Sequence, residues 1–485
     1  MPEFNNDQNS LGDGGCFASE YAYQPLFSRQ FRLLFIGEGI SSEELRIIHA
    51  SLDTAPPYTS VSYSWEDQQR DQDLRIEGCD LKVTTNLRNG LPHLMKNAKT
   101  RYLWIDTICI DQKNDKEKAD QIPQMREIYK RCQECLVWLG EGTAETEIAF
   151  DAIPRMSQQV KIHGARAVWE REGIDVGYPD VLNSLLWKGL VDLFARPWFR
   201  RTWTFQECVL PDDIYFLCGI KVLGFSVIEP LAMPLLHHLT SLQLLFPGAE
   251  LGKPRLYVGF LRITRIAEFK QLGNEPSKCL DTLRLLYFTR PWAASNRLDK
   301  IYGILGLADS SLKSQLAVDY NSTTAQLSQQ IAQWYISFGN DLFILNLASS
   351  VRRGDDQLPS WIPNFPRLGS HWCIGVIWHR FRTGMTMIPV STPFASVLSG
   401  GLHVHGFRAD QVSQVVSYSA KPSSSRVEKC RDILEWEKSC LALSRTVFEL
   451  MDDDVPAAHW MTLISGICDH HIEPSRANYD SLKCF

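Results

Sequence analysis

The chain has 485 residues, with 50 lysines and arginines against 56 aspartates and glutamates, a net charge of -6 and a pI near 6.1. That acidic balance argues against a protein held to nucleic acid by bulk charge, since phosphate neutralisation needs a basic face, and no nucleic-acid partner is expected. The length allows two or three domains, and 44% hydrophobic with 22% charged residues is an ordinary globular mix.

Residues 1–28 begin with the polar, glycine-rich "MPEFNNDQNSLGDGG" and read as a disordered start with no basic-then-apolar signal region. No window of about 18 uncharged apolar residues occurs, so no membrane span is expected. The 13 cysteines are odd in number and irregularly spaced, which suggests reduced thiols in a cytoplasmic protein. The CxxC pair Cys132–Cys135 has no second pair to complete a zinc site, and no metal is expected.

"FRLLFIGEGI" (31–40) predicts a strand and a turn, but Gly37 and Gly39 lack the third glycine of a dinucleotide fingerprint. From 58 to 219, strands and helices alternate. "YTSVSYSW" (58–65) predicts a strand. Residues 84–97 predict a helix on the spacing of Leu87, Leu91, Leu94 and Met95. "RYLWIDTICI" (101–110) is an apolar run broken by Asp106 and reads as a buried parallel strand. Residues 115–132 predict a helix, with Pro123 marking a kink or a late start. "CLVWLG" (135–140) and "IYFLCG" (214–219) complete four strands. Such alternation predicts an α/β fold with a parallel sheet, whose sites form where loops leave the carboxyl ends of strands.

Beyond about residue 225 the texture becomes α+β. Helices are expected at 297–309 and 327–338, an aromatic loop at 358–365 and a hairpin-like segment at 401–416. His403 and His405 share a strand face, but two ligands without a third make no metal site.

The stretch "RPWFRRTWTFQE" (196–207) holds most of the chemical interest. Pro197 suits a first helical turn. On a continuous helix, Trp198, Thr202, Phe205 and Val209 make a core stripe, and Arg200, Trp203 and Glu207 make a second one. The second stripe is either another packed layer or a ligand face. Asp106 is a carboxylate in a run that should be buried, so it must be paired or hydrogen-bonded. Gln112, in the following loop, could cap the next helix or line a pocket. No GxSxG elbow, Walker loop or HExxH motif is present.

Read together, "YTSVSYSWED", "LWIDTICIDQKNDKEKADQIPQMREIYKRCQECLVWLG" and "RPWFRRTWTFQE" resemble, in order and spacing, the signature blocks of the fungal heterokaryon incompatibility (HET) domain. "RLDKIYGILGL", "VDYNST" and "LPSWIPNF" look like that family's downstream region. Two positions depart from its usual pattern: Glu66 stands where glycine is common, and Asp111-Gln112 where Asn-Gln is common.

The resemblance implies a HET domain at 29–222, a C-terminal region at 223–485, and a role in fungal non-self recognition and programmed cell death. HET domains in turn resemble TIR domains at fold level, which implies a TIR-like (flavodoxin-like) parallel sheet. The separation of Trp203 and Glu207 by four matches the Trp-Cys-x-x-Glu helix of enzymatic TIR domains. Two readings follow from the resemblance. In one, Glu207 is catalytic in NAD or nucleotide cleavage, with Ser64, Trp65, Asp106, Gln112, Arg200 and Trp203 binding the nucleotide. NAD would then be a substrate, with no permanently bound cofactor. In the other, the domain is a non-catalytic module that signals by self-association or by binding a protein incompatibility factor.

Overall fold

Four strands expected from the sequence lie side by side at the centre of one sheet. The computed structural model describes residues 19–37, 45–65, 69–175, 180–245, 253–273, 282–308, 310–339, 344–348, 358–367, 395–398 and 401–404. Its main sheet is built from β1 (Gln30–Ile36), β2 (Leu45–Ser51), β3 (Thr59–Tyr63), β6 (Tyr102–Trp104), β7 (Glu134–Trp138), β8 (Ile214–Cys218) and β9 (Lys221–Gly224). The spatial order is β2-β1-β6-β3-β7-β8-β9. A separate antiparallel hairpin, β4 (Arg70–Ile76) with β5 (Cys79–Thr84), follows β3.

The sheet is mixed, not purely parallel. β6, β3, β7 and β8 run parallel. β1 joins β6 antiparallel, and the β1–β2 and β8–β9 hairpins form the two edges. At the β8–β9 edge a tight turn makes the reversal. Between β8 and β9 only Gly219 and Ile220 separate the paired Cys218 and Lys221, and Gly219 takes φ +53° as such turns require. Taken in chain order, the four parallel strands stand in the order 2-1-3-4.

Helices cover both faces. On one face α1 (Thr85–Asn97) buries Leu87, Leu91 and Leu94 with Val61, Tyr63, Leu103, Leu136 and Trp138 of the sheet and Leu74, Ile76 and Val83 of the hairpin. Each fully buried leucine contributes about 2 kcal/mol. A Cβ at Gly90 would stand 2.6 Å from Trp138 Nε1, so only glycine lets α1 settle over that indole.

The opposite face carries Ser60, Ser62, Trp104, Cys135 and Phe216, because strand side chains alternate. Here Tyr129 stacks edge-on to Trp104, and Trp198 to Phe216.

Two expected elements are shorter than their patterns. The 101–110 strand stops at Trp104, and α2 (Asp106–Cys109) is a single helical turn. Asp106 Oδ1 accepts from its neighbour's N–H on Thr107, and Gln112 Nε2 donates to the Asp106 carbonyl, which together curl the chain away from the sheet. The 115–132 helix is broken into α3 (Asp115–Gln121) and α4 (Met125–Arg131) by a 3-10 turn containing Pro123, the expected site of disturbance.

After β7 come α5 (Ala144–His163), α6 (Ala165–Arg171), α7 (Leu185–Ala195) and α8 (Thr204–Val209). Beyond β9 follow α9 (Phe225–Leu245), α10 (Lys253–Gly273), α11 (Thr282–Thr289), α12 (Asp299–Leu305), α13 (Ser310–Gln315) and α14 (Thr324–Gly339). The aromatic loop at 358–365 is present, with Trp361, Ile362 and Phe365 buried.

Residues 1–334 with 348–371 form one compact unit. A second unit spans 335–347 and 372–485. Its described part includes a hairpin of β10 (Ala395–Leu398) and β11 (Gly401–Val404). The rest of the segment expected to be β at 401–416, with His405, lies outside the described residues, as do Glu66 and residues 1–18 of the expected disordered start.

Candidate functional site

The segment 196–207 is not one helix. A 3-10 turn covers Pro197–Arg200, Arg201 is extended, and α8 begins only at Thr204. The break has a tertiary cause. Arg201 forms a parallel bridge with Ala293, and Thr202 N–H donates to the Ala293 carbonyl at 2.9 Å. A helix cannot satisfy those partners, so the helical phase resets at Arg201. The two stripes expected on a continuous helix therefore do not exist.

Resetting the phase turns Glu207 inward. Its side chain is 4% exposed, and its Oε2 accepts a 2.5 Å hydrogen bond from the Ser62 hydroxyl of β3. That hydroxyl accepts in turn from the Trp198 indole N–H at 2.8 Å. Because the Trp198 N–H already points at the Ser62 oxygen, the one Ser62 proton is free to go to an ionised Glu207. Burial, and next the Asp106 charge, push the Glu207 carboxyl up to about 7; Arg201, Ser62 and Arg262 pull it back. A group with that value exchanges a proton near neutrality, as acid–base groups in sites do.

Asp106 stands at the start of α2, just past the carboxyl end of β6, beside the same strand ends. It keeps some solvent contact, but the surrounding protein raises its carboxyl above the ordinary range. Arg201, the Thr107 N–H, Arg70 and the Trp65 indole oppose that rise, in that order. The Trp65 N–H is close enough to act on Asp106 yet makes no hydrogen bond of full geometry.

Arg201 is the hub. One of its nitrogens, Nη1, donates to the Tyr63 carbonyl at 2.7 Å, at the end of β3. Its charge reaches Asp106, Glu207 and Asp299 alike. Asp299 opens α12 and accepts from the Tyr320 hydroxyl at 2.8 Å. Burial raises its carboxyl, against the pull of Tyr320, Trp203 and Arg201.

Behind them lies Arg262 of α10, fully buried, its Nη2 donating to the Arg201 carbonyl and the Thr204 hydroxyl. Its guanidinium sits 3.9 Å from the Trp292 ring centroid, and burial lowers it to about 9.

The residues expected from the sequence thus fall in different places. Glu207, Asp106 and Trp65 meet around Arg201. Trp203 is half-buried, packs on Gly303 of α12 and acts on Asp299. Ser64 is buried at the end of β3, where its carbonyl accepts from Asn86. Gln112 holds the Asp106 backbone. Arg200 is half-buried, and its carbonyl accepts from the Ala293 N–H.

Ser62, Arg70, Arg201, Arg262 and Asp299 were not foreseen. One signal was available for Ser62: "SVSYS" puts three serines on one face of a strand that should be buried. Among the described residues no cluster of His, Cys, Asp or Glu could hold a metal ion. No described helix is long and apolar enough to cross a membrane.

Comparisons with known proteins agree on one family. The model of the family described as heterokaryon incompatibility protein (HET) matches residues 58–207, from the start of β3 to Glu207. Heterokaryon incompatibility protein 6, OR allele, of Neurospora crassa is 27% identical over 373 residues, covering 66% of this chain and 55% of that protein. Vegetative incompatibility protein HET-E-1 of Podospora anserina is 24% identical over 170 residues, 34% of this chain and 10% of that protein. The chain spans about half the length of the first of these relatives and a tenth of the second. No solved structure matches. The chain therefore carries a heterokaryon incompatibility (HET) domain at residues 58–207.

Proposed function

We propose that this chain acts in fungal heterokaryon incompatibility, leading to cell death, and that its site cleaves the N-glycosidic bond of a nucleotide such as NAD on a TIR-like sheet. The observation that carries the reading is Glu207: a buried carboxyl at about 7, hydrogen-bonded to a parallel strand beside an arginine and a tryptophan. The strand order 2-1-3-4 supports it further. In doubly wound sheets ligands bind beyond the carboxyl ends of strands where the order reverses, which here is between β3 and β7.

In such a cleavage the bond from ribose C1′ to the nicotinamide nitrogen breaks. Its electron pair neutralises the departing cationic ring, so the leaving group needs no proton. Positive charge develops on the ribose, and an ionised Glu207 stabilises it. Water then adds to C1′ and gives up a proton. Trp65 or Trp203 offers a ring face for stacking. Because the ionised glutamate is the active form, turnover rises with pH through about 7.

The test is purified full-length chain with NAD, wild type beside Glu207→Gln, with products separated by chromatography. Turnover in the wild type and at least a hundredfold loss in the variant are expected. Equal turnover by both, or none by either, sinks the enzymatic reading.

The 4% exposure of Glu207 favours one rival: a non-catalytic module in which Glu207 is a structural partner of Ser62 and signalling runs through self-association or a protein partner. Under that rival, Glu207→Gln still kills fungal cells.

A further inference from the structure

Two arginines share one tryptophan at the carboxyl end of β3. Arg70 Cζ lies 4.8 Å from the Trp65 ring centroid, and Arg201 Cζ lies 5.5 Å from it. Arg70 is the first residue of β4, and Arg201 belongs to the extended turn before α8. Trp65, Arg70, Arg201 and Asp106 are all half-buried, so a solute can reach them.

Among the described residues, neither guanidinium has an ion pair within 4 Å. The hydrogen bond found for the Arg201 side chain is the one to the Tyr63 carbonyl, which leaves the rest of its fork open.

Two like charges held against one ring repel each other, and the arrangement costs energy until an anion joins it. Asp106 is the carboxylate that feels both arginines, and burial raises it against their pull. Guanidinium forks match phosphate oxygens two at a time, and an indole face beside them suits a planar ring. We propose that Arg70 and Arg201, arranged on Trp65, form a subsite for the diphosphate of a nucleotide ligand. This subsite rests on the reading of the Glu207 site as a nucleotide site and names the group that anchors the ligand there.

Calorimetric titration of the full chain tests the subsite with inorganic pyrophosphate as probe, then with ADP-ribose against the uncharged nucleoside adenosine. Pyrophosphate has no glycosidic bond, so its binding is read whether or not the protein cleaves anything. Glu207→Gln, which keeps both arginines, is expected to retain that binding. Arg70→Gln and Arg201→Gln are each expected to weaken it at least about tenfold, the scale of one charge-assisted hydrogen bond.

ADP-ribose should bind the wild type more tightly than adenosine does, and Arg70→Gln should close that gap. Arg70 is the half-buried first residue of β4 and lies outside the buried core of its hairpin, so its substitution keeps the fold even if loss of the Arg201 bond to Tyr63 does not. Wild type that ignores pyrophosphate, or Arg70→Gln that binds it as tightly as wild type, overturns the subsite. Loss of binding by both arginine variants with retention by Glu207→Gln supports it.

Discussion

Replacing Glu207 with glutamine should make the protein more stable at pH 8.5 and change its stability far less at pH 4. The Glu207 carboxyl moves from an ordinary 4.5 to about 7 on folding, chiefly through burial. Between those pH values the native chain still holds a proton that the unfolded chain has released. Unfolding free energy therefore falls as pH rises, by about 1.4 kcal/mol per pH unit for one proton.

The penalty is absent below 4.5, grows through 7, and then levels off at about 3 kcal/mol. Glutamine cannot ionise and escapes it. Any constant gain or loss from the amide against Ser62 adds equally at every pH, so the pH-dependent part of the difference is the signature. Denaturant unfolding of both chains at half-unit steps from pH 4 to 9 measures it. A difference that stays flat across that range would refute the inference that this carboxyl is buried in the folded state and retains its proton to near neutrality.

Two further outcomes follow from the same geometry. Removing the Asp106 charge with Asp106→Asn should lower the Glu207 carboxyl, because that charge raises it. The transition in the Glu207→Gln stability difference, measured in that background, should then shift to lower pH. An unmoved transition would mean the two groups do not interact. Gly259→Ala should cost about 3 kcal/mol or more, because its Cβ would stand 2.0 Å from the Phe194 carbonyl oxygen of α7. A melting temperature equal to wild type would rule out so close a crossing of α10 and α7.

The central strands were legible because each is a short apolar run bounded by turns. Their parallel neighbours followed from the intervening helices. "RYLWIDTICI" was only half legible: a buried strand followed by a buried helical turn has the same apolar texture as one long strand. The segment 196–207 failed for a different reason. Its pattern fits a continuous helix, and nothing local announces that Ala293, some ninety residues away, will draw Arg201 into an extended bridge. One broken phase was enough to bring Arg201, not Arg200, to the three carboxylates and to turn Glu207 toward β3. Arg262 and Asp299 lie beyond the signature blocks altogether, and only folding brings them to the site.

The Arg201–Ala293 bridge bears on how this protein can be dissected. Residues 58–207 can be found by comparison, but their last strand-to-helix passage is shaped by Arg262, Phe269, Trp292 and Ala293. Cut at 207, the segment would present Trp198 and Phe205 to water, without Trp292, Phe269 and the Arg262 guanidinium that cover them. Arg201 would lose the partner that keeps it extended. A fragment trimmed to the signature should be insoluble or misfolded, and inactivity in such a fragment would say nothing about the intact chain. The stretch that inheritance marks out is shorter than the stretch that can hold its own shape.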